Sequence, residues 1–379
     1  MMEENQDKKV INLSPLKKGK RVLLFLADYF INFILGFLLF VVMVYPLGKV
    51  MTGFNAKRDV YNANLELRGR ILIGNKIIHD SHDVDIFNIS YNVDFTSDCF
   101  LSYYAFDEES PSNMRYNQFG HKEDNKVFHT YFINILGNEE KFITLFDKYN
   151  EKFAYFERSG TSLTLKAEIR NQVRPNFIKG EECSQVGKEY VSNIKSSIYL
   201  PMFSEIMESI RTSDLFFEGH SYNQTQAAII GYEKYTLNLI TATALIAVFL
   251  STSILYLVIP LCNKGRKTIG MFIMNIEVVN IRSLGYLKKR EQILRFVYSL
   301  FHVFLISFFV PMTSIPFVEM FRIQLLFIIM LFSLTFMLIN LISLLFDQYN
   351  RSLFDRLLGV VHLKTADLDE VYRAKGYYL

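Results

Sequence analysis

The chain has 379 residues, half of them hydrophobic, with 35 Phe, 22 Tyr, no Trp and a formal net charge of +3. That apolar content, with only three Cys, excludes a disordered chain, a collagen-like repeat and a disulfide-dense small fold. A string of ordinary soluble domains is excluded by the charge distribution: four long stretches carry at most one ionisable acidic or basic group each.

A basic tail, residues 1–21, leads into the first stretch, 22–46, whose one charge is Asp28. The others, 236–262, 296–318 and 324–346, contain no Lys, Arg, Asp or Glu. Each exceeds the roughly 20 residues that a helix rising ~1.5 Å per residue needs to cross a ~30 Å hydrocarbon core. Their Phe, Leu, Ile and Val run around the whole helix rather than along one stripe. Four transmembrane helices are therefore expected. The first is read as a signal anchor, because its apolar run outlasts a signal core of roughly 7–15 residues and Tyr45-Pro46-Leu47 is a poor cleavage site.

Basic residues flank these spans asymmetrically. They crowd the 1–21 tail, the 263–295 connector and the 347–379 tail, whereas the turn between the third and fourth spans offers Arg322 beside Glu319. The positive-inside rule then places both termini and the connector in the cytoplasm and residues 47–235 outside. Residues 47–235 carry −5 and the remainder +8, in keeping with that orientation.

Residues 47–235 suffice for a folded domain. Within them, 70–74 and 85–95 read as strands or irregular structure. The 138–158 stretch has helical spacing through Phe142, Phe146 and Phe153, and Pro201 fits a first helical position. The expected fold class is mainly α: a polytopic four-helix transmembrane bundle plus a mixed, mainly helical extracytoplasmic domain. His79, His82 and Asp83 sit in a run of metal-ligating residue types, for which a solvated polar turn is the plainer account, since a metal site usually recruits a ligand from elsewhere in the fold. Cys99 and Cys183 are a candidate disulfide on an oxidising side of the membrane, or two separate thiols. No nucleophile-and-base set, phosphate-cradling glycine loop or zinc-protease motif occurs, so neither an enzyme nor a cofactor is expected. The basic connector reads as a topology signal and an anionic-lipid contact, not a nucleic-acid site.

The polar groups inside the apolar stretches are the informative ones. Asp28 lies six residues, ~9–10 Å, inside the first span, where a carboxylate must be neutralised, paired or hydrated. Helical spacing puts Arg21, Asp28, Asn32 and Gly36 on one face. Depth along the other helices brings Arg295 to the mouth of the third span, His302 level with Asp28, and Asn340 ~10 Å above Asp347. A polar cluster of Asp28, Asn32, Arg295, His302 and Asn340 is expected, with His302 or Arg295 as counter-group to Asp28. It would serve as a proton or cation relay, or as hydrogen-bonded glue that fixes helix packing or a homo-oligomer.

Arg21-x6-Asp28 entering the first span, with Asp355 after the last, resembles the RDD family of bacterial membrane proteins, named for one Arg and two Asp. Thr268-Ile-Gly270 followed by an apolar run to Val278-Val279 is similar to the family's connector. Arg290 and Arg295 look like its basic approach to the next span, and Arg351-Ser-Leu-Phe-Asp355-Arg-Leu-Leu-Gly359 like its closing motif. Met271 stands where the family usually has Lys, and Val360 where Thr commonly follows the Gly. The resemblance covers residues 15–50 and 235–365, and 47–235 is then a long insertion after the first span. It implies a multi-pass protein of the bacterial plasma membrane and, for some members, cation/proton exchange. The alternative function is a membrane-anchored binding, sensing or envelope-assembly protein without transport, whose outer domain meets an envelope partner. Arg351 and Asp355, four apart, would pair on a helix. The two valine runs, 278–279 and 360–363, are β-prone and could pair as strands.

Overall fold

The computed structural model describes residues 15–79, 89–106, 114, 126–134, 136–160, 162–281, 283, 285–300 and 320–374. The chain is mainly helical and divides into two units, Met1–Phe54 with Thr236–Leu379, and Asn55–Tyr235.

Two described helices are long and apolar enough to cross a membrane, Lys18–Met51 and Tyr222–Cys262. Only 17% and 28% of their apolar windows are buried inside the chain, which separates them from the core helices of a soluble protein. The first helix buries Leu24, Asp28, Asn32 and Gly36, and exposes Leu23, Phe30, Phe37 and Val42. Polar and small residues thus face inward and large apolar ones outward, the inverse of a soluble amphipathic helix and the pattern that lipid demands. Both helices begin before the predicted spans, and the first also runs past the end of its span, whereas the second ends with its span at Cys262. The fourth apolar stretch, 324–346, lies in the helix Met320–Phe346. Of the third, residues 301–319 lie outside the described residues, and the helix Lys289–Ser299 leads into it.

Pro46 and Pro260 each follow a π-helical turn, Phe40–Val44 and Ile254–Val258. A proline withholds the N–H that the carbonyl four residues earlier needs, and the ladder widens around the defect.

Outside the long helices, Thr268 caps the short helix Ile269–Ile273, and the connector strand Ile276–Asn280 follows. Ser352 and Asp355 form a capping box on the helix Leu353–Leu358, which stops at Gly359 with φ +65°. The tail strand Val360–Lys364 then runs antiparallel to the connector strand, with Val278 opposite His362 and Val279 opposite Val361. The two valine runs do pair. A two-stranded ribbon is marginal by itself, and here Leu16, Leu24 and Met271 pack on one side of it and Leu368 on the other. The chain start joins the same structure, Leu16 N–H donating to the His362 carbonyl at 3.1 Å.

In the second unit, helices such as Ile89–Ala105, Glu139–Asn150 and Leu200–Ser213 enclose an aromatic core with Phe100, Tyr104, Phe128, Phe146 and Tyr199. Phe128 stacks on Tyr199 at 5.0 Å, and Phe146 meets Phe156 edge-on at 4.8 Å. Residues 70–74 close the helix Phe54–Gly74 and 89–95 open another, which corrects the strands expected there. Short alternating runs of Ile, Phe and Tyr fit a helix equally well when a core surrounds it. The 138–158 helix ends early, at Asn150, whose side chain donates to the Phe156 carbonyl and accepts from its amide. That clamp turns the chain into the hairpin Phe156–Ser159 with Ser162–Leu165. Cys99 is buried in the core and Cys183 half-buried beside the Gln172 carbonyl; both are free thiols, so the disulfide is not formed.

Candidate functional site

Asp28 reaches out of its helix to the connector. Its Oδ2 accepts the Thr268 hydroxyl at 2.6 Å, and its Oδ1 accepts the Gly270 amide at 2.9 Å. A Cβ at position 270 would stand 2.5 Å from Oδ1, so glycine is what lets the carboxylate approach. The expected counter-group is therefore corrected: two neutral donors hold Asp28, Arg295 is not bonded to it, and His302 lies outside the described residues. Depth along a helix could not foresee the connector folding back onto the first span. Four residues on, Asn32 donates to Thr252 Oγ1 at 3.2 Å and accepts from Ser251 Oγ at 3.0 Å, with Gly36 against Ser251 one turn further. This ladder joins the first and second long helices.

Arg21 pairs with Asp355, the two side chains being 11% and 7% exposed. The Asp355 Oδ2 also accepts from the Ser352 amide and hydroxyl, at 3.2 and 2.8 Å. Burial alone would push the Asp355 carboxyl up, but the charges of Arg21 and Arg295 hold it well below the usual carboxylate range. His362 Nδ1 lies 3.9 Å from the same oxygen, and neither ring nitrogen of this buried His has a hydrogen-bond partner among the described residues. Burial, with the Arg21 charge added, pushes its imidazole well below the ordinary value and keeps it neutral.

Arg351 does not pair with Asp355. It meets Asp347 at 2.9 and 3.1 Å, where Arg356 joins at 2.8 Å. The reason is local: Ser352 is the N-cap, so Arg351 precedes the helix and the four-residue face rule fails. Hydrogen bonds from Arg351 hold Asp347 well below its ordinary value against burial, with Arg356 adding to them.

A cavity of about 230 Å³ opens between these elements, lined by Arg21, Asp28, Tyr256, Arg295, Tyr298 and Asn340 with a larger share of apolar groups, Leu24, Phe25, Met337 and Leu344 among them. Tyr298 donates to Asn340 Oδ1 at 3.3 Å. Gln292 Nε2 donates to the Tyr256 carbonyl at 2.7 Å, which is the carbonyl that Pro260 cannot serve. Arg295 donates to Gln292 at 3.3 Å. Met271 also lines the cavity, so its positive charge comes from the two arginines and not from a connector lysine. Of the sequence-predicted residues, Asp28, Arg295 and Asn340 share this space with Arg21 and Asp355. Asn32 stands deeper, on Ser251 and Thr252, and Arg290 is exposed on the helix Lys289–Ser299. His79 packs on Phe95 with its amide on Thr96, and His82 and Asp83 lie outside the described residues.

Sequence reasoning missed Tyr256, Gln292, Tyr298, Ser352 and His362. Two of them had a readable signal: Ser352-x-x-Asp355 is a capping box, and Pro260 marks a stranded carbonyl at Tyr256. The others become polar neighbours through tertiary approach alone.

Residues 215–359 match the model of the RDD family. No curated protein and no solved structure matches the chain. The matched stretch holds Thr268, Gly270, Arg351, Asp355 and Gly359, the connector and closing groups on which Asp28 and Arg21 are docked. Residues 215–359 of the chain are therefore an RDD-like region.

Proposed function

We propose that this RDD-like membrane protein exchanges a proton or small cation through the cavity beside Asp28. The observation that carries the reading is the unequal holding of the two acids. Asp355 is pinned by Arg21, whereas Asp28 is held by a hydroxyl and an amide, so that taking up a proton there breaks no ion pair. An ionisable side chain within an otherwise apolar membrane helix is by default a functional-site residue. Arg295, across the same cavity, supplies a fixed positive charge that favours release of the proton.

In this reading the chain crosses the bacterial plasma membrane four times, with both termini and the connector in the cytoplasm and residues 47–235 outside as an insertion. The protein works in the lipid bilayer, as a homo-oligomer if one bundle is too thin to form a conduit. Proton and sodium flux in vesicles reconstituted with the full chain tests it. Asp28→Asn is expected to abolish flux while leaving the folded fraction at the wild-type level. Undiminished flux through a folded Asp28→Asn protein refutes the exchange role.

A second reading is a membrane-anchored binding or envelope-assembly protein. It is favoured by the Asn55–Tyr235 unit having a hydrophobic core of its own. Pull-down of one envelope protein by that unit, with no flux from the full chain, would select it.

A further inference from the structure

We infer that the cavity beside Asp28 is a site for an anionic phospholipid, with its headgroup phosphate on Arg21 and Arg295. The argument starts from hydrogen-bond supply. Both carboxylates in the cavity already have their donors: Thr268 and Gly270 for Asp28, Arg21 and Ser352 for Asp355. The guanidinium groups are only partly served in turn. Among the described residues, Arg21 Nε is buried without an acceptor, and Arg295 has a single 3.3 Å bond, to Gln292 on its own helix. The missing group is an oxyanion, and planar guanidinium N–H groups match phosphate oxygens best.

Shape and polarity then separate a lipid from free phosphate. About 230 Å³ accommodates a phosphate with the first carbons attached to it. Most of the wall is apolar, and its lining includes Leu26 and Leu341, both exposed on helices that present apolar faces outward. Those two residues mark a mouth through which acyl chains would leave along the helix surface. Inorganic phosphate would gain nothing from such walls, whereas a lipid buries chain and headgroup at once. The site is independent of the exchange reading, because binding needs neither an ion gradient nor titration of Asp28.

The test is titration of the full-length protein, in neutral detergent, with phosphatidylglycerol, phosphatidylcholine or inorganic phosphate, counting bound molecules by native mass spectrometry. One phosphatidylglycerol per chain is expected, with phosphatidylcholine weaker. Arg295→Gln should lower phosphatidylglycerol affinity roughly ten- to hundred-fold, the loss of one charge-assisted contact. Lys289→Gln, exposed on the same helix, should leave it unchanged. Leu341→Trp, which blocks the mouth and keeps every charge, should produce a similar loss at an unaltered melting temperature. It keeps the proposal testable if Arg295→Gln fails to fold. Unaltered phosphatidylglycerol binding in Leu341→Trp overturns the site, and so does inorganic phosphate binding as tightly as the lipid. Loss of flux in Asp28→Asn with lipid binding intact would show that the two roles are separate.

Discussion

The Gly270 amide and the Asp28 carboxylate meet at 2.9 Å, in a space that any side chain at position 270 would fill. Gly270→Ala should therefore lower stability by about 1–3 kcal/mol, the range for overpacking a closed site. Thr268→Val should cost a similar amount by removing the 2.6 Å hydroxyl bond from a buried carboxylate, while Thr268→Ser keeps it. Melting temperature in detergent reads all three. A Gly270→Ala protein as stable as wild type would show that Asp28 is not anchored there.

Arg21 and Asp355 tie the first helix to the closing segment, and both are largely buried. Removing one partner leaves the other charge uncompensated, so Asp355→Asn or Arg21→Gln should cost about 3–5 kcal/mol. The double replacement should cost less than the sum of the two singles. Urea unfolding of the four proteins measures the coupling, and strict additivity would deny the pair an energetic role.

His362 gives the fold a pH dependence of known sign. Its folded-state value lies well below the ordinary 6.5, so only the unfolded chain takes up a proton there as the pH drops. The stabilisation is complete above pH 6.5 and is lost as pH falls from 6.5 toward the lowered folded value, by up to about 1.4 kcal/mol per pH unit. His362→Leu should flatten that slope between pH 7.5 and 5.5. Asp347 and Asp355 act with the same sign in a more acidic window: their folded values are also depressed, and their contribution is lost only as the pH falls below the ordinary 3.8.

Pro260 and Gln292 should be energetically coupled. Gln292 serves the Tyr256 carbonyl that the proline leaves short, so Gln292→Leu should cost about 1–3 kcal/mol in the native background. In a Pro260→Ala background the restored N–H supplies that carbonyl, and the same change should cost less. Equal costs in both backgrounds would mean that the 2.7 Å bond does not compensate for the proline.

The proposed topology can be read from two thiols. Cys183 is half-buried in the Asn55–Tyr235 unit and Cys262 is exposed at the end of the second long helix. A membrane-impermeant maleimide added to intact cells should modify Cys183 and spare Cys262, which reacts only after lysis. The reverse pattern inverts the orientation.

What the sequence determined by itself was everything that depends on composition and short-range spacing. Long uncharged stretches specify apolar helices because only a helix satisfies its own backbone in lipid. Four- and seven-residue spacing placed Arg21, Asp28, Asn32 and Gly36 on one face, and three of those four are among the buried residues of that helix. Valine runs specified the ribbon between Val278 and His362. Tertiary structure decided partnership. Asp28 turned to Thr268 and Gly270, some 240 residues away, since two neutral donors lay closer than any arginine. Arg351 turned to Asp347 because Ser352, one residue later, started the helix. The physical reason is range: helix geometry fixes neighbours within a few residues, whereas buried polar groups take whichever partner the completed packing brings within hydrogen-bond distance.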